Sequence, residues 1–320
     1  MQTTIQRFRR AGCLLCASIF FVSVGVAAPA PTAKYASTDA NASHPQRVDI
    51  ALVLAVDVSS SIDASERRFQ REAYADALSD PRVAQMALGG RAGRIAIAYM
   101  EWSGRRYQRV HLPIRVMSTP EQMAEFAQDI LHIQDGQNDP MFVQPTAVGN
   151  ALLAAETAMS ELPFPAGDYV IDISGDGVRN DGFAVLSARD HLLSMGLTVN
   201  GLPIEVSANP PRYDEGSPDR VSNFYEDCVI GGPGSFHLVA RGFGDVRETL
   251  IMKLMLEMAQ LHPSEKRRLA SAWNANELGE IARIIPATVL QLAPSAQAER
   301  PRVNCGDPVD ASQNPFKTSP

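Results

Sequence analysis

Val48-Asp-Ile-Ala-Leu-Val-Leu-Ala-Val-Asp57-Val-Ser59-Ser-Ser61 is the stretch on which the fold turns. Its first part is an aliphatic run broken only by Asp49, which reads as a strand buried on both faces. The run ends at Asp57, and Ser59 and Ser61 follow two residues apart. Asp63-Ala-Ser-Glu66 then has the spacing of a capping box, and Phe69, Ala73 and Ala77 recur on one helical face. A buried strand therefore hands the chain to a helix through a loop that carries three oxygen-bearing side chains. Hard oxygens in that number suit a hard divalent cation such as Mg2+ better than a thiolate-seeking metal.

Outward from this stretch, short apolar runs alternate with helix-like segments. Ile95 to Trp102 reads as a second strand, with Gly104 turning the chain into an antiparallel hairpin partner from Arg106 to Leu112. Thr119-Pro-Glu-Gln opens a helix reaching about Ile133, and Asp135 to Pro140 is a loop. A helix over Thr146 to Glu161, a strand over Tyr169 to Ser174, a helix over Phe183 to Met195 and a strand over Leu197 to Ile204 follow. Ser222 to Cys228 reads as a short helical piece, Phe236 to Ala240 as the last strand, and Phe243 to Met258 as the last helix of the alternation. Ser264 to Ile285 is helical and amphipathic, and from Ala293 onward Pro, Asn and Ser dominate. This alternation predicts an α/β fold, a doubly wound, mainly parallel, Rossmann-like sheet with one antiparallel edge strand and helices on both faces. In such sheets ligands sit beyond the carboxyl ends of the strands, where the strand order reverses. The loop after the first strand and the Ser174-Gly-Asp176-Gly177 turn after a later one then share an edge.

The candidate metal ligands are Asp57, Ser59, Ser61, Thr146 and Asp176. Residues i, i+2 and i+4 on a loop leaving a strand can turn toward one point. Two carboxylates supply charge and hydroxyls supply neutral oxygens, in keeping with the preference of Mg2+ for an octahedral oxygen shell with one or two carboxylates. The following helix points its positive end, roughly half a charge, at this place, and two carboxylates outweigh it. Asp-x-Ser-x-Ser alone is equally a helix cap. The ordered set of strand, hydroxyl loop, Pro145-Thr146 before a helix and Gly-Asp-Gly after a strand is what raises it above that reading.

On those residues the chain resembles a von Willebrand factor type A (vWA)-like domain over roughly residues 47 to 258. That family carries an Asp-x-Ser-x-Ser loop, a threonine and an Asp-Gly in this order, together a metal-ion-dependent adhesion site (MIDAS). Leu54-Ala-Val-Asp-Val58, Glu101-Trp-Ser103, Val170-Ile-Asp-Ile-Ser-Gly-Asp-Gly177, Asn200-Gly-Leu202 and Val229-Ile-Gly-Gly-Pro-Gly234 further resemble a bacterial family of exported proteins of unknown function. The resemblance implies a divalent cation, Mg2+ or Mn2+, touched by the two serines and the threonine, with the aspartates often acting through water. It also implies a protein partner whose exposed acidic group completes the shell.

Four segments are expected: a signal peptide over residues 1–28, a flexible linker over 29–46 rich in Pro, Ala, Ser and Thr, the vWA-like domain over 47–258, and a C-terminal extension over 259–320, partly helical and then disordered. Arg7, Arg9 and Arg10 precede the uncharged apolar run Ala11 to Val26, and Val26-Ala-Ala28 is a small-residue cleavage pattern. The rival is an uncleaved anchor, because the run approaches spanning length. Removing 1–28 takes away three arginines and no acid, moving the net charge from −7 to −10. An acidic, exported chain, periplasmic or secreted, is a poor nucleic-acid binder, and after cleavage it holds no membrane segment. Of the four cysteines, Cys228 and Cys305 remain, either bridged in an oxidising compartment or as two free thiols.

Competing signals are weaker. Asp172-x-Ser174-x-Asp176-Gly177 imitates the start of a calcium loop, but Phe183 stands where a bidentate Glu is required. No Gly-x-Ser-x-Gly elbow or Gly-Lys-Ser/Thr ending is present. The histidines form no metal-spaced pair. Gly231-Gly-Pro-Gly234 reads as a tight turn. Asp172, a carboxylate inside a central strand, requires a buried partner. Beside the binding module stand a metal-assisted hydrolase, for which Asp172 and Glu101 are the candidate bases, and a scaffold with an empty site. Oligomeric state has no signature in the sequence.

Overall fold

The computed structural model describes residues 34–35, 47–134, 145–178, 181–205, 220–259, 261–275, 302–303 and 305. The expected signal peptide, most of the linker, residues 135–144 and 206–219 and most of the chain beyond 275 lie outside them.

Five strands form one sheet in the order β3-β2-β1-β4-β5. They are β1 (Val48–Asp57), β2 (Ile95–Trp102), β3 (Gln108–Met117), β4 (Ala166–Gly175) and β5 (Thr198–Pro203). β1 runs parallel to β2 and β4, β4 runs parallel to β5, and only β3 is antiparallel, at the edge. This is the doubly wound, mainly parallel sheet with one antiparallel edge strand that the alternation predicts.

Because side chains alternate along a strand, β1 feeds both layers. Ile50, Leu52, Leu54 and Val56 pack under α1 (Ala64–Ser79), α2 (Pro81–Leu88), α3 (Pro120–Leu131) and, further along, α7 (Val246–Met258). Ala51, Val53 and Ala55 pack under α4 (Val148–Met159) and α5 (Val185–Ser194) on the opposite face, with α6 (Arg220–Phe224) and the π-helical turn Tyr225–Val229 that continues it. α8 (Pro263–Asn274) adds a small cluster, Leu269 and Ala270 against Met252, Leu256, Phe236 and Leu238.

The helix starts follow the sequence. Asp63 caps α1 with both halves of the capping box formed, and Thr119 caps α3 ahead of Pro120. Gly232 and Gly234 adopt φ of 96° and 74°, which the tight turn there requires of glycine.

One expected strand is corrected. Phe236 to Ala240 follows β5 only through isolated bridges, Gly201 to His237 and Ile204 to Ala240. Pro203 has no N–H to give, and the Asn200 side chain takes the Phe236 N–H at 3.0 Å, so a regular ladder is not completed. The last helix also begins later than expected, because Phe243–Asp245 forms a separate 3-10 turn before α7. The cysteines resolve as a Cys228–Cys305 disulfide.

Candidate metal centre

β1 and β4 are neighbours at the point where the strand order reverses, β2 and β3 lying to one side and β5 to the other. Their carboxyl ends carry Asp57 and the Gly175–Gly177 turn. The register sets Val56 beside Ser174 and Asp57 beside Trp102 at the end of β2. A third segment arrives from the N-terminus of α4, where the Ala147 N–H donates to the Ser103 carbonyl at 2.9 Å and holds Thr146 at the same edge.

The five candidate oxygen donors meet. The Asp57 carboxylate accepts the Ser59 N–H at 2.7 Å through Oδ1. Ser59 Oγ lies 3.2 Å from Ser61 Oγ and 3.5 Å from Thr146 Oγ1. Ser61 Oγ donates to Asp176 Oδ1 at 2.7 Å. Asp57, Ser59 and Thr146 are buried, whereas Ser61 is exposed and Asp176 half-buried, so the cluster opens to solvent on one side.

Burial dominates the electrostatics of both carboxylates. Burial, reinforced by the nearby Asp176 charge, pushes the Asp57 carboxyl well above the ordinary carboxylate range. Burial also raises Asp176, partly offset by its hydrogen bond from Ser61. Asp57 Oδ2 is buried and has no hydrogen-bond partner among the described residues. Buried carboxylates are ordinarily paired or coordinated. No group of three His, Cys, Asp or Glu gathers among the described residues. Two carboxylates with three hydroxyls make an all-oxygen donor set that fits a hard divalent cation.

Gly175 leaves the space for this arrangement. A Cβ there would stand 2.8 Å from Asp57 Oδ2 and 2.9 Å from the Tyr225 hydroxyl oxygen. Tyr225 carries no local sequence signal, since its approach depends on the π-helical turn Tyr225–Val229 packing against Gly201 of β5. Around the rim, Arg105 pairs with Asp181, and the Asp181 N–H donates to the Thr146 carbonyl at 3.1 Å.

A profile described as a protein of unknown function, DUF1194, matches residues 47–262. The chain belongs to the DUF1194 family. No curated protein sequence matches this chain. Among solved structures, proximal thread matrix protein 1 from the mussel byssus is similar at 16% identity and a TM-score of 0.46, covering 65% of this chain and 48% of that one. The same mussel protein, described with a zinc-occupied MIDAS motif, is similar at 17% identity and a TM-score of 0.43, over 65% and 48%. The pilus adhesin SpaC of Lactobacillus rhamnosus GG in its open conformation is similar at 13% identity and a TM-score of 0.45, over 66% and 30%. This DUF1194 chain therefore spans half or less of the length of those structures.

Both carboxylates considered as hydrolytic bases are engaged elsewhere. Glu101 is held by Arg71 through Nε and Nη2 at 2.7 and 2.9 Å, with His111 Nε2 3.1 Å away. Burial pushes its carboxyl up, but His111 and Arg71 more than offset this and hold it at about 2. Asp172 lies against Lys253 Nζ at 2.7 Å, and that lysine also meets Glu257 at 2.5 Å, all three fully buried. Burial raises the Glu257 carboxyl to about 7. Lys253 is the partner the sequence reading required for Asp172 and did not name.

Among the described residues no helix is long and apolar enough to cross a membrane.

Proposed function

We propose that this protein is an exported, metal-ion-dependent binding module. Asp57, Ser59, Ser61, Thr146 and Asp176 hold one divalent cation, Mg2+ or Mn2+. When bound, the ion supplies concentrated positive charge and an open coordination position toward solvent. An acidic group on a protein partner completes the shell there. The residues themselves bind and orient: the loop hydroxyls present neutral oxygens, and the two carboxylates balance charge.

The observation that carries this reading is the buried Asp57 carboxylate, with one oxygen unpartnered, beside a second carboxylate and three hydroxyls at the switch point of the sheet. A site needed only to cap α1 would not bury an uncompensated carboxylate, because Asp63 already performs the capping. The hydrolase reading loses support because Glu101 and Asp172 are each locked in buried ion pairs.

The test is thermal unfolding of metal-stripped protein with and without millimolar Mg2+ or Mn2+, beside Asp57→Ala. Metal at about 100 times its dissociation constant adds roughly 2.7 kcal/mol, a shift of at least a few degrees for a domain of this size. Stabilisation of wild type that disappears in Asp57→Ala supports the reading. No shift in either protein sinks it and leaves a scaffold with an empty site. Partner capture with and without chelator then tests the acidic ligand.

A further inference from the structure

The Tyr225 hydroxyl takes part in none of the interactions described so far. The residue is wholly buried and opens the π-helical turn Tyr225–Val229. Its oxygen has no hydrogen-bond partner among the described residues. A buried orphan hydroxyl is costly and calls for a reason.

Its position supplies one. The hydroxyl oxygen and Asp57 Oδ2 lie 2.9 and 2.8 Å from the same point, the place a Cβ on Gly175 would fill. One is a phenolic donor and the other a carboxylate acceptor, and both are buried without partners among the described residues. The turn that carries Tyr225 is fastened from outside. Cys228 is bridged to Cys305, and the Val303 N–H donates to the Asp227 carboxylate at 2.7 Å. Such π-helical turns recur at functional sites.

We propose that Tyr225 is a positioning residue of the metal centre, its hydroxyl donating to Asp57 Oδ2 once the cation is bound, directly or through one water, so that the carboxylate stays aimed at the cation. This rests on the metal-binding reading above. Outer partners that orient a ligand commonly contribute tenfold or more to metal affinity. The Gly175 gap is what allows the hydroxyl and the carboxylate to share one small space.

The experiment is a Mn2+ titration followed by electron paramagnetic resonance of the free ion, on the full disulfide-bonded chain, for wild type, Tyr225→Phe and Asp57→Ala. Metal-free melting temperatures are measured in parallel. Tyr225→Phe is expected to bind Mn2+ about tenfold more weakly or worse, with a metal-free melting temperature close to that of wild type, because no direct hydrogen bond joins the two oxygens before the ion draws them together. Equal Mn2+ affinity in wild type and Tyr225→Phe overturns the positioning role and leaves the metal centre standing. Weaker binding accompanied by a metal-free melting temperature several degrees lower also overturns it, since the hydroxyl would then be structural. Wild type that binds no Mn2+ overturns both readings together.

Discussion

At the scale of single residues, the molecule is defined by charges it buries and the partners it gives them. Among the described residues Asp57 has no cationic side chain against it, whereas Glu101 and Asp172 do. Replacing Asp57 by Asn keeps the acceptor for the Ser59 N–H and removes the charge. We expect Asp57→Asn to melt higher than wild type in chelator, by on the order of 1 kcal/mol as buried like charges are relieved, and lower than wild type in saturating Mg2+. Paired unfolding curves with and without the ion check both signs. Glu101 behaves in the opposite way. Its carboxyl is held at about 2 against an ordinary 4.5, so its contribution is complete above that ordinary value and fades as pH falls toward 2. Glu101→Gln should cost about 3 kcal/mol at neutral pH and much less near about pH 3. Urea unfolding at the two pH values decides it, and a penalty independent of pH would defeat the argument. Asp57, Ser59 and Ser61 were legible in the sequence because a loop leaving a buried strand fixes their spacing locally. Tyr225 was not, because its approach depends on a helix that packs from more than a hundred residues away.

At the scale of elements, the helix and strand boundaries that local chemistry controls fell where the sequence placed them, and those that depend on neighbours did not. Asp63 and Glu66 form the capping box that starts α1 immediately after the Ser59–Ser61 loop. Asp63→Ala should therefore cost about 1 kcal/mol of stability, measurable as a shift in the urea midpoint with an unchanged slope. Phe236 to Ala240 has the apolar look of a strand, yet Pro203 and the Asn200 side chain interrupt its ladder. That interruption is invisible in the segment itself. The α7 helix carries Lys253 and Glu257 one turn apart and turns both inward, toward Asp172 on β4. A charged pair at this spacing ordinarily marks a solvent face. Lys253→Met should destabilise by about 3–5 kcal/mol, because it leaves Asp172 and Glu257 buried without their cation. Adding Asp172→Asn and Glu257→Gln to it should recover much of the loss, and a triple variant no better than Lys253→Met would refute the account.

At the scale of the whole molecule, one sheet with helices on both faces brings three distant loops to one edge, and a disulfide fastens Cys305 to its flank. Cys228 and Cys305 close a span of 77 residues. Loop-closure entropy gives such a bridge about 4.5 kcal/mol, and measured bridges typically give about 2–4. Cys228→Ser with Cys305→Ser should accordingly lower the melting temperature by several degrees, read by calorimetry against the oxidised wild type. If Tyr225 acts as proposed, the same variant should also bind Mn2+ more weakly, because the turn that presents the hydroxyl loses its clamp.

The sequence by itself determined the alternation of strands and helices, the parallel sheet with its antiparallel edge, and the loop chemistry of Asp57 to Ser61. Hydrophobic period, cap spacing and the run of oxygens are all set within a few residues of one another. It also allowed Cys228 and Cys305 to bridge without deciding that they do. Only the tertiary structure decided which carboxylates are paired. Asp172 finds Lys253 and Glu101 finds Arg71 across strands and helices whose register no local pattern states. The same holds for Asp57, whose second oxygen lies buried opposite Gly175 and the Tyr225 hydroxyl. The electrostatic cost of a buried charge depends on every element packed around it, and that packing exists only once the chain has folded.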